Sequence, residues 1–102
     1  MKYRIEYLPQ AIEDLQAIED WYRLNFDDRT ALRVSNSIVD TILRLEEFPN
    51  SGSIPSDEWM AQQGFRLVIA GRHVAIYTQE MNILYIHHIA DTRTEYNKLF
   101  HV

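Results

Sequence analysis

The sequence predicts an α+β fold in the order β-α-α-β-β-β, with an antiparallel helical hairpin packed on a small, mostly antiparallel sheet. Two observations predict it. Before Phe48, apolar residues recur every three or four positions, which is the spacing of amphipathic helices. After Gly64, apolar and polar residues alternate in three short runs, which is typical of strands joined by hairpins. A chain of 102 residues is long enough for one core, so we expect a single domain, 1–102.

The first half of the chain is expected to form one strand and two helices. Residues 2–8 alternate apolar and charged side chains, as a strand does. Pro9 suits the first turn of a helix that ends near Asn25, and Asp27 or Asp28 can cap the next helix. The short connection makes the two helices an antiparallel hairpin. The expected buried positions are Ala11, Leu15, Ile18, Trp21, Tyr22, Ala31, Val34, Ser35, Ile38, Val39, Ile42 and Leu45, with Glu13, Asp14, Glu19 and Asp20 facing away.

The second half is expected to begin with a polar loop and to continue as three strands. The segment 49–55 is rich in Pro, Ser and Gly, which stops the second helix and opens a loop that reaches Gln63. Within that loop, Trp59 and Met60 are interpreted as anchors on the core. After the last strand, residues 91–100 are expected to form a short C-terminal helix, on the helical spacing of their apolar side chains.

The chain carries a net charge of −5, and this charge is unevenly distributed. Residues 1–60 hold six Lys/Arg against twelve Asp/Glu, whereas residues 61–102 hold four against three, together with all four histidines. Proteins that bind nucleic acids regardless of sequence are usually far more basic. The composition therefore disfavours that class and leaves room for a small cationic site.

Composition also argues against membrane and metal-binding proteins. No apolar run approaches the roughly 20 residues needed to cross a bilayer, and Met1 to Arg4 leads into no signal-peptide core. The absence of cysteine excludes disulfides and thiolate metal sites, so a cytoplasmic chain is expected. His87 and His88 are adjacent strand residues that should point to opposite faces. We therefore expect neither a metal nor a cofactor.

Arg66 is the first candidate for a functional residue. It stands among apolar residues in the run from Phe65 to Ala70, and the alternation of a strand lets one face be buried while the other presents Arg66. The alternative interpretation is a charge on an edge strand, which keeps a sheet soluble.

Several segments occur in an order and spacing that point to a known family. They are the helical hairpin, the loop Phe48–Gly52, the strand that begins Gly64-Phe65-Arg66, the strand Arg72–Tyr77, and an Arg-x-x-Tyr-x-x-Leu-Phe pattern that ends at Phe100. Together they resemble the RelE/ParE superfamily over nearly the whole chain. The resemblance implies a toxin of a bacterial type II toxin–antitoxin pair, neutralised by a cognate antitoxin that wraps over it. It also implies one of two targets: RelE-like members cut mRNA on the ribosome without a metal, and ParE-like members poison DNA gyrase.

The nuclease hypothesis assigns chemical roles to four residues. Metal-free cleavage uses the RNA 2′-hydroxyl as nucleophile and needs a base, an acid and cations around the phosphorus. The resemblance places Arg66 and Arg93 at the two arginine positions of RelE-like toxins, where a guanidinium grips phosphate through two hydrogen bonds. His88 is the candidate base or acid at neutral pH, and Tyr96 is a candidate for stacking on a base or donating a proton.

Three further residues, Arg72, His87 and Lys98, are the candidates for substrate binding. His87 and His88 compete for the acid–base role, since only one of them is expected to face the site. The alternative interpretations are structural, because a strand histidine is often a buried core residue and Tyr96 can serve as packing.

The chain departs from the RelE-like pattern in one respect. The resemblance implies lysines before the arginine strand, where this chain has Ser56-Asp57-Glu58, and no lysine lies between Lys2 and Lys98. ParE-like toxins need no such lysines. Three functions stay open: an endonuclease acting on mRNA and the ribosome, an inhibitor of DNA gyrase, and a non-enzymatic fold that binds a partner. The nuclease is the preferred hypothesis.

Overall fold

The computed structural model describes residues 2–100 and has the predicted order of elements. The predicted α+β fold is confirmed, with the helical hairpin and a four-stranded sheet. The helices are α1 (Pro9–Asn25), α2 (Asp28–Leu43) and α3 (Glu58–Gln62), and the strands are β1 (Arg4–Tyr7), β2 (Arg66–Ala70), β3 (His73–Glu80) and β4 (Ile83–Asp91). Two short 3₁₀ turns, Arg44–Glu46 and Tyr96–Leu99, follow α2 and the last strand.

The helical hairpin begins and turns where the sequence places its signals. Pro9 stands at the start of α1, where its missing N–H has no helical partner to lose. Asp27 caps α2 by accepting a hydrogen bond from the backbone N–H of Thr30 at 2.7 Å. The positions that α2 buries are Ala31, Ser35, Ile38 and Ile42, all of which were predicted.

Three residues of the hairpin lie on a different side from the one predicted. Trp21 is 52% exposed and Val39 is 37% exposed. Trp21 is next to Tyr22, and Val39 is next to Ile38, and in both cases the neighbour packs towards the sheet. One residue is a rotation of about 100° around a helix, so the apolar stripe of each helix is narrower than predicted. Asp14 was expected at the surface, but its side chain is only 20% exposed and faces β4.

The strands form one sheet in the order β1-β4-β3-β2. The pairs β2–β3 and β3–β4 are antiparallel neighbours in sequence, whereas β1 runs parallel to β4. A parallel pair needs a long crossover, and the chain between these two strands includes the helical hairpin. Gly71 has a φ of +65° at the β2–β3 turn, a backbone conformation that glycine adopts without steric cost.

Both faces of the sheet are covered, although the sequence led us to expect one buried face. The helix-facing core contains Ala11, Ile38, Ile42, Leu45, Ala75, Tyr77, Leu84, Ile86 and Ile89. The other face packs Met60, Phe65 and Ile76 against Leu67, Tyr96, Leu99 and Phe100. The C-terminal segment and α3 thus close the second face of the sheet.

The loop before β2 contains the helix α3, which was not predicted. Asp57 caps it by accepting a hydrogen bond from Met60 N at 2.9 Å. Met60 is fully buried, as its role of anchor requires, whereas Trp59 is 37% exposed and its ring centroid lies 6.0 Å from that of Phe65. None of the helices within residues 2–100 is long and apolar enough to cross a membrane.

Candidate functional site

Arg66 lies at the start of β2, where the loop of residues 49–53 crosses the strand. Its Nη1 donates hydrogen bonds to the carbonyl oxygens of Gly52 at 2.8 Å and Asn50 at 3.3 Å. A guanidinium that donates to two carbonyls of one loop fixes that loop against the sheet. Arg66 therefore has a structural role here, whatever further role it takes.

Tyr77 holds the same loop from the neighbouring strand. Its buried hydroxyl donates to the carbonyl oxygen of Pro49 at 2.8 Å and accepts from the N–H of Gly52 at 3.1 Å. Ser53 and Leu67 complete the attachment with two backbone hydrogen bonds of 2.8 Å. We call this arrangement the loop clamp: residues 49–53 together with Arg66, Leu67 and Tyr77.

The register of the sheet separates the two arginines that were predicted to converge. Arg66 pairs with Tyr77, which in turn lies opposite Ile86 of β4. Arg93 comes after Asp91, which lies at the other end of that strand. Asp91 lies opposite His73, four residues along β3 from Tyr77, which is about 13 Å at 3.3 Å per residue, and Arg93 lies beyond it. The structure therefore does not assemble Arg66 and Arg93 into one site.

Arg93 is bound to a carboxylate two residues before it. Its Nε and Nη2 donate to the two carboxylate oxygens of Asp91 at 3.0 and 3.2 Å, and its backbone N–H donates to the same side chain at 2.8 Å. These hydrogen bonds to Arg93 lower the pKa of Asp91 to about 2. Arg93 is exposed, so a ligand can reach it, but only in competition with this pair.

His87 and His88 lie on the same side of the sheet, contrary to the prediction. A β-bulge places Ile76 opposite His88 and Tyr77 opposite Ile86, which leaves His87 as an extra residue in β4. Both imidazole rings contact the ring of Phe100, with centroids 6.1 and 5.0 Å from it. The prediction that the two side chains point to opposite faces is wrong, because the extra residue in β4 interrupts the alternation of side chains between the two faces of the strand.

Each imidazole of this pair has a defined partner. His88 Nδ1 lies 3.0 Å from Oδ2 of Asp14, which also accepts the backbone N–H of Ile89 at 3.0 Å. Nε2 of His87 lies 2.8 Å from the hydroxyl of Thr78. A carboxylate that orients one imidazole nitrogen leaves the other as a proton acceptor, which is the arrangement of a general base. Burial, followed by the charge of His88, lowers the pKa of His87.

The C-terminal segment covers this face of the sheet. Tyr96 packs against the second core and its hydroxyl donates to the carbonyl oxygen of Thr92 at 2.9 Å, which favours the packing interpretation. Burial raises the pKa of Tyr96, so proton donation at neutral pH becomes harder. Lys98 is exposed and paired with Glu95 at 2.8 Å. The ring of Phe100 lies over both histidines and 4.5 Å from the ring of Phe65.

Arg72 lies on the β2–β3 turn, at the far end of the sheet from the loop clamp. Its side chain is exposed and lines the same concavity as Arg33 of α2. The neighbouring His73 is only 7% exposed, and its ring meets that of Tyr22 edge to face at 6.0 Å. Burial lowers the pKa of His73, and the charge of Arg72 adds to this effect while Asp91 opposes it.

Two residues of these sites were missed in the sequence. Asp14 carried a signal, because it lies three residues after buried Ala11 and next to Leu15, within the stripe that faces the sheet. Arg33 carried none, since nothing local links a helix arginine to the turn at Arg72. Among the described residues, no three His, Asp or Glu side chains are grouped so as to hold a metal ion.

Comparison with known proteins places this fold in a family. The family model described as the ParE toxin of the type II toxin–antitoxin system parDE matches residues 5–96. The chain belongs to the ParE toxin family. No curated protein sequence matches it.

Solved structures similar to this ParE family member come from toxin–antitoxin systems. A chain of the chromosomal ParDE system from P. aeruginosa superposes with a TM-score of 0.75 at 22% identity, covering 88% of this chain and 96% of that one. A chain of the RelBE2 toxin–antitoxin complex from Mycobacterium tuberculosis gives 0.66 at 16%, with 89% and 99% covered. A chain of the E. coli DinJ-YafQ complex gives 0.60 at 15%, with 99% and 100% covered. At these identities the likeness shows a shared fold, and the target of this toxin has to be argued from its own residues.

Proposed function

We propose that this type II toxin inhibits growth in the cytoplasm by binding DNA gyrase, rather than by cutting RNA. The observation that carries the proposal is the register of the sheet, which places Arg66 level with Tyr77 and puts Arg93 beyond Asp91, at the level of His73. A metal-free nuclease needs cations and an acid–base pair around one phosphorus. Here each arginine is already engaged, Arg66 by loop carbonyls and Arg93 by Asp91.

Two further features support a target that is bound rather than cleaved. The face that carries both histidines is covered by Phe100, so an RNA strand would have to displace that ring to reach them. The segment where the RelE-like pattern implies lysines is acidic, with Asp57 and Glu58 in it. The family of the matching model agrees with this choice, since poisoning of gyrase is what resemblance to ParE-like toxins implies.

The decisive experiment separates the two targets in the same cells. Expression of the toxin is expected to stop growth, to alter plasmid supercoiling and to leave mRNA intact during the first minutes. Purified toxin is expected to inhibit supercoiling by purified gyrase. Prompt cleavage of mRNA with normal supercoiling would refute the gyrase proposal and favour the nuclease.

An antitoxin is the expected second partner. The helical hairpin exposes large apolar side chains, including Leu24 at 85% and Leu32 at 52%, and it carries seven of the 15 acidic residues of the chain. Such a surface fits a disordered segment that is apolar and basic and that folds as it binds. Similar toxins have been solved within toxin–antitoxin systems.

The antitoxin is tested by co-expression with the product of the neighbouring small reading frame. The two proteins are expected to elute together from a sizing column, and growth is expected to recover. Separate elution of two folded proteins would rule out this partner.

A second candidate function, RNA cleavage, is favoured by the pair of Asp14 and His88. An oriented imidazole beside a second histidine is suited to acid–base chemistry. In this alternative the catalytic roles of Arg66, Arg93, His88 and Tyr96, and the substrate-binding roles of Arg72, His87 and Lys98, stay predictions.

The cleavage hypothesis predicts that His88→Ala abolishes cleavage of mRNA on purified ribosomes. Asp14→Asn should lower the rate about a hundredfold, in the range of a lost general base. Arg44→Ala, which removes an exposed arginine elsewhere, is the control. Undiminished cleavage by His88→Ala would exclude this residue as the base.

A further inference from the structure

Two adjoining concavities lie at the end of the sheet remote from the loop clamp, and they share three side chains. Tyr22, Arg72 and His73 line both of them. The first, of about 260 Å³, is also lined by Arg33 of α2. The second, of about 290 Å³, is also lined by Arg93 after β4. We call the surface formed by Arg33, Arg72 and Arg93 the arginine end.

The arginine end is cationic in a chain of net charge −5. None of the described residues that line the first concavity is acidic. In the second, the acidic residue is Asp91, which is neutralised by Arg93. Within residues 2–100, no carboxylate comes within 4.0 Å of the guanidinium of Arg33 or Arg72. These two arginines therefore have donors to offer to an external anion.

Exposed aromatic rings stand beside these cations. Trp21 lines the second concavity together with Arg72 and Arg93, and 52% of it is exposed. Its ring centroid lies 5.0 Å from that of Tyr22 and 6.0 Å from that of Phe26, which is 63% exposed. The three rings thus pack on one another and leave surface free next to the arginines.

We propose that the arginine end binds a single strand of nucleic acid, with Arg33 and Arg72 on its phosphates and a base against Trp21. A guanidinium matches the geometry of phosphate and stays charged at all physiological pH values. Aromatic platforms next to a positively charged groove are the usual means of binding single strands without reading their sequence. The same arginines would attract an acidic peptide, but the exposed ring of Trp21 beside them adds the stacking surface that the bases of a nucleic acid use.

The negative net charge of the protein limits the affinity that this site can have for a nucleic acid. Non-specific binding of nucleic acids comes mainly from phosphate contacts, with dissociation constants on the order of 10⁻⁴–10⁻⁶ M. A site with two arginines in an acidic protein belongs at the weak end of that range.

The proposal is tested with purified toxin and a fluorescein-labelled oligothymidylate of about 15 nucleotides, followed by anisotropy in roughly 50 mM salt. Arg72→Ala is expected to weaken binding about tenfold and to reduce the slope of log affinity against log salt by about 1. Trp21→Ala should weaken binding about fivefold or more. The affinity of Arg72→Lys should lie between those of Arg72→Ala and wild type, because lysine keeps the positive charge but lacks the planar guanidinium that donates two hydrogen bonds to one phosphate.

Arg44→Ala is the matched control. It removes the same charge from an exposed position, in a concavity lined by Asp40, Glu46 and Glu47. Binding within about twofold of wild type is expected, since its charge is remote from the site. Thermal melting of every variant shows whether a loss of binding reflects unfolding.

Two results would overturn the inference. One is equal affinity of folded Arg72→Ala and Arg44→Ala for the oligonucleotide. The other is binding of an oligoglutamate peptide with no binding of the oligonucleotide, which would make the arginine end a docking surface for acidic protein. The assay contains no gyrase, so its outcome is independent of the target proposed above. A toxin that leaves gyrase active can still bind the oligonucleotide, and a toxin that inhibits gyrase can fail to bind it.

Discussion

Arg66 and Arg72 look alike in the sequence, and the structure uses them in opposite ways. Each follows within two residues of a glycine and lies at or just before the start of a strand. Arg66 is partly buried and donates to two carbonyl oxygens of the loop clamp, whereas Arg72 is exposed and lies within 4.0 Å of no carboxylate in residues 2–100. The difference lies in what the rest of the chain places beside each guanidinium.

The comparison teaches how to separate a structural arginine from a binding one. At the loop clamp, residues 49–53 present carbonyl oxygens that need donors, and Arg66 and Tyr77 supply them. At the arginine end, the carbonyl oxygen of Arg72 already accepts a hydrogen bond from the backbone N–H of Thr92 at 2.9 Å. Among residues 2–100 no side chain or backbone carbonyl accepts a hydrogen bond from the Arg72 guanidinium, so its donors are open to a ligand.

The largest effect should come from filling the space inside the loop clamp. In Gly52→Ala, the new Cβ would lie 2.8 Å from the carbonyl oxygen of Leu67 and 2.8 Å from Cε1 of Tyr77, and against its hydroxyl. The loop cannot retreat without breaking its hydrogen bonds to β2, so overpacking should lower the free energy of unfolding by about 1–3 kcal/mol. A thermal melt should show a fall of about 4–8 °C for each kcal/mol.

Ser51→Ala serves as the control for that variant, because Ser51 is exposed in the same loop. Its melting temperature should be close to that of wild type. A Gly52→Ala protein as stable as Ser51→Ala would show that the loop is not held as described.

The two arginines give the second effect. Arg66→Ala should lower the free energy of unfolding by about 1–2 kcal/mol, since it leaves the carbonyl of Gly52 without its charged donor. Arg72→Ala should change it by less than about 0.5 kcal/mol, as expected of an exposed side chain. Denaturation in urea measures both. If the two variants lost equal stability, the contrast between the two regions would be invalid.

The smallest effect concerns pH. Burial lowers the pKa of both His73 and His87 below the ordinary value of 6.5. Below about pH 6.5 the unfolded chain therefore binds protons that the folded chain resists, so stability should fall as the pH drops from 7 to 5. The free energy of unfolding, measured in urea across this range, should depend less on pH in His73→Asn and in His87→Gln. Between pH 7 and 8 these variants and wild type should show the same slope, and a wild-type protein that became more stable towards pH 5 would contradict the assignment.

Much of the fold was predictable because its signals are local. Pro9 in the first turn of α1 and the cap Asp27 of α2 act on the next turn of backbone, and the apolar stripe of α2 repeats every three or four residues. The hairpins of the sheet follow from short turns between alternating runs. Trp21 and Val39 were wrongly predicted to be buried, because each lies one residue around the helix from the buried stripe. The family was likewise readable in the sequence, because order and spacing of segments persist along the chain.

The sites were decided by contacts between residues far apart in sequence, which no local pattern encodes. The bulge in β4 arises from its pairing with β3, and it alone brings His87 and His88 to one side. Asp14 meets His88 across 74 positions, and Arg33 comes to line one concavity with Arg72 because α2 packs near the β2–β3 turn. The sequence by itself determined which segments form helices and strands and which family they belong to. The tertiary structure decided which charged side chains form hydrogen bonds within the fold and which stay available to a partner. The reason is that a charged group is hydrogen-bonded only by atoms that folding brings within hydrogen-bonding distance.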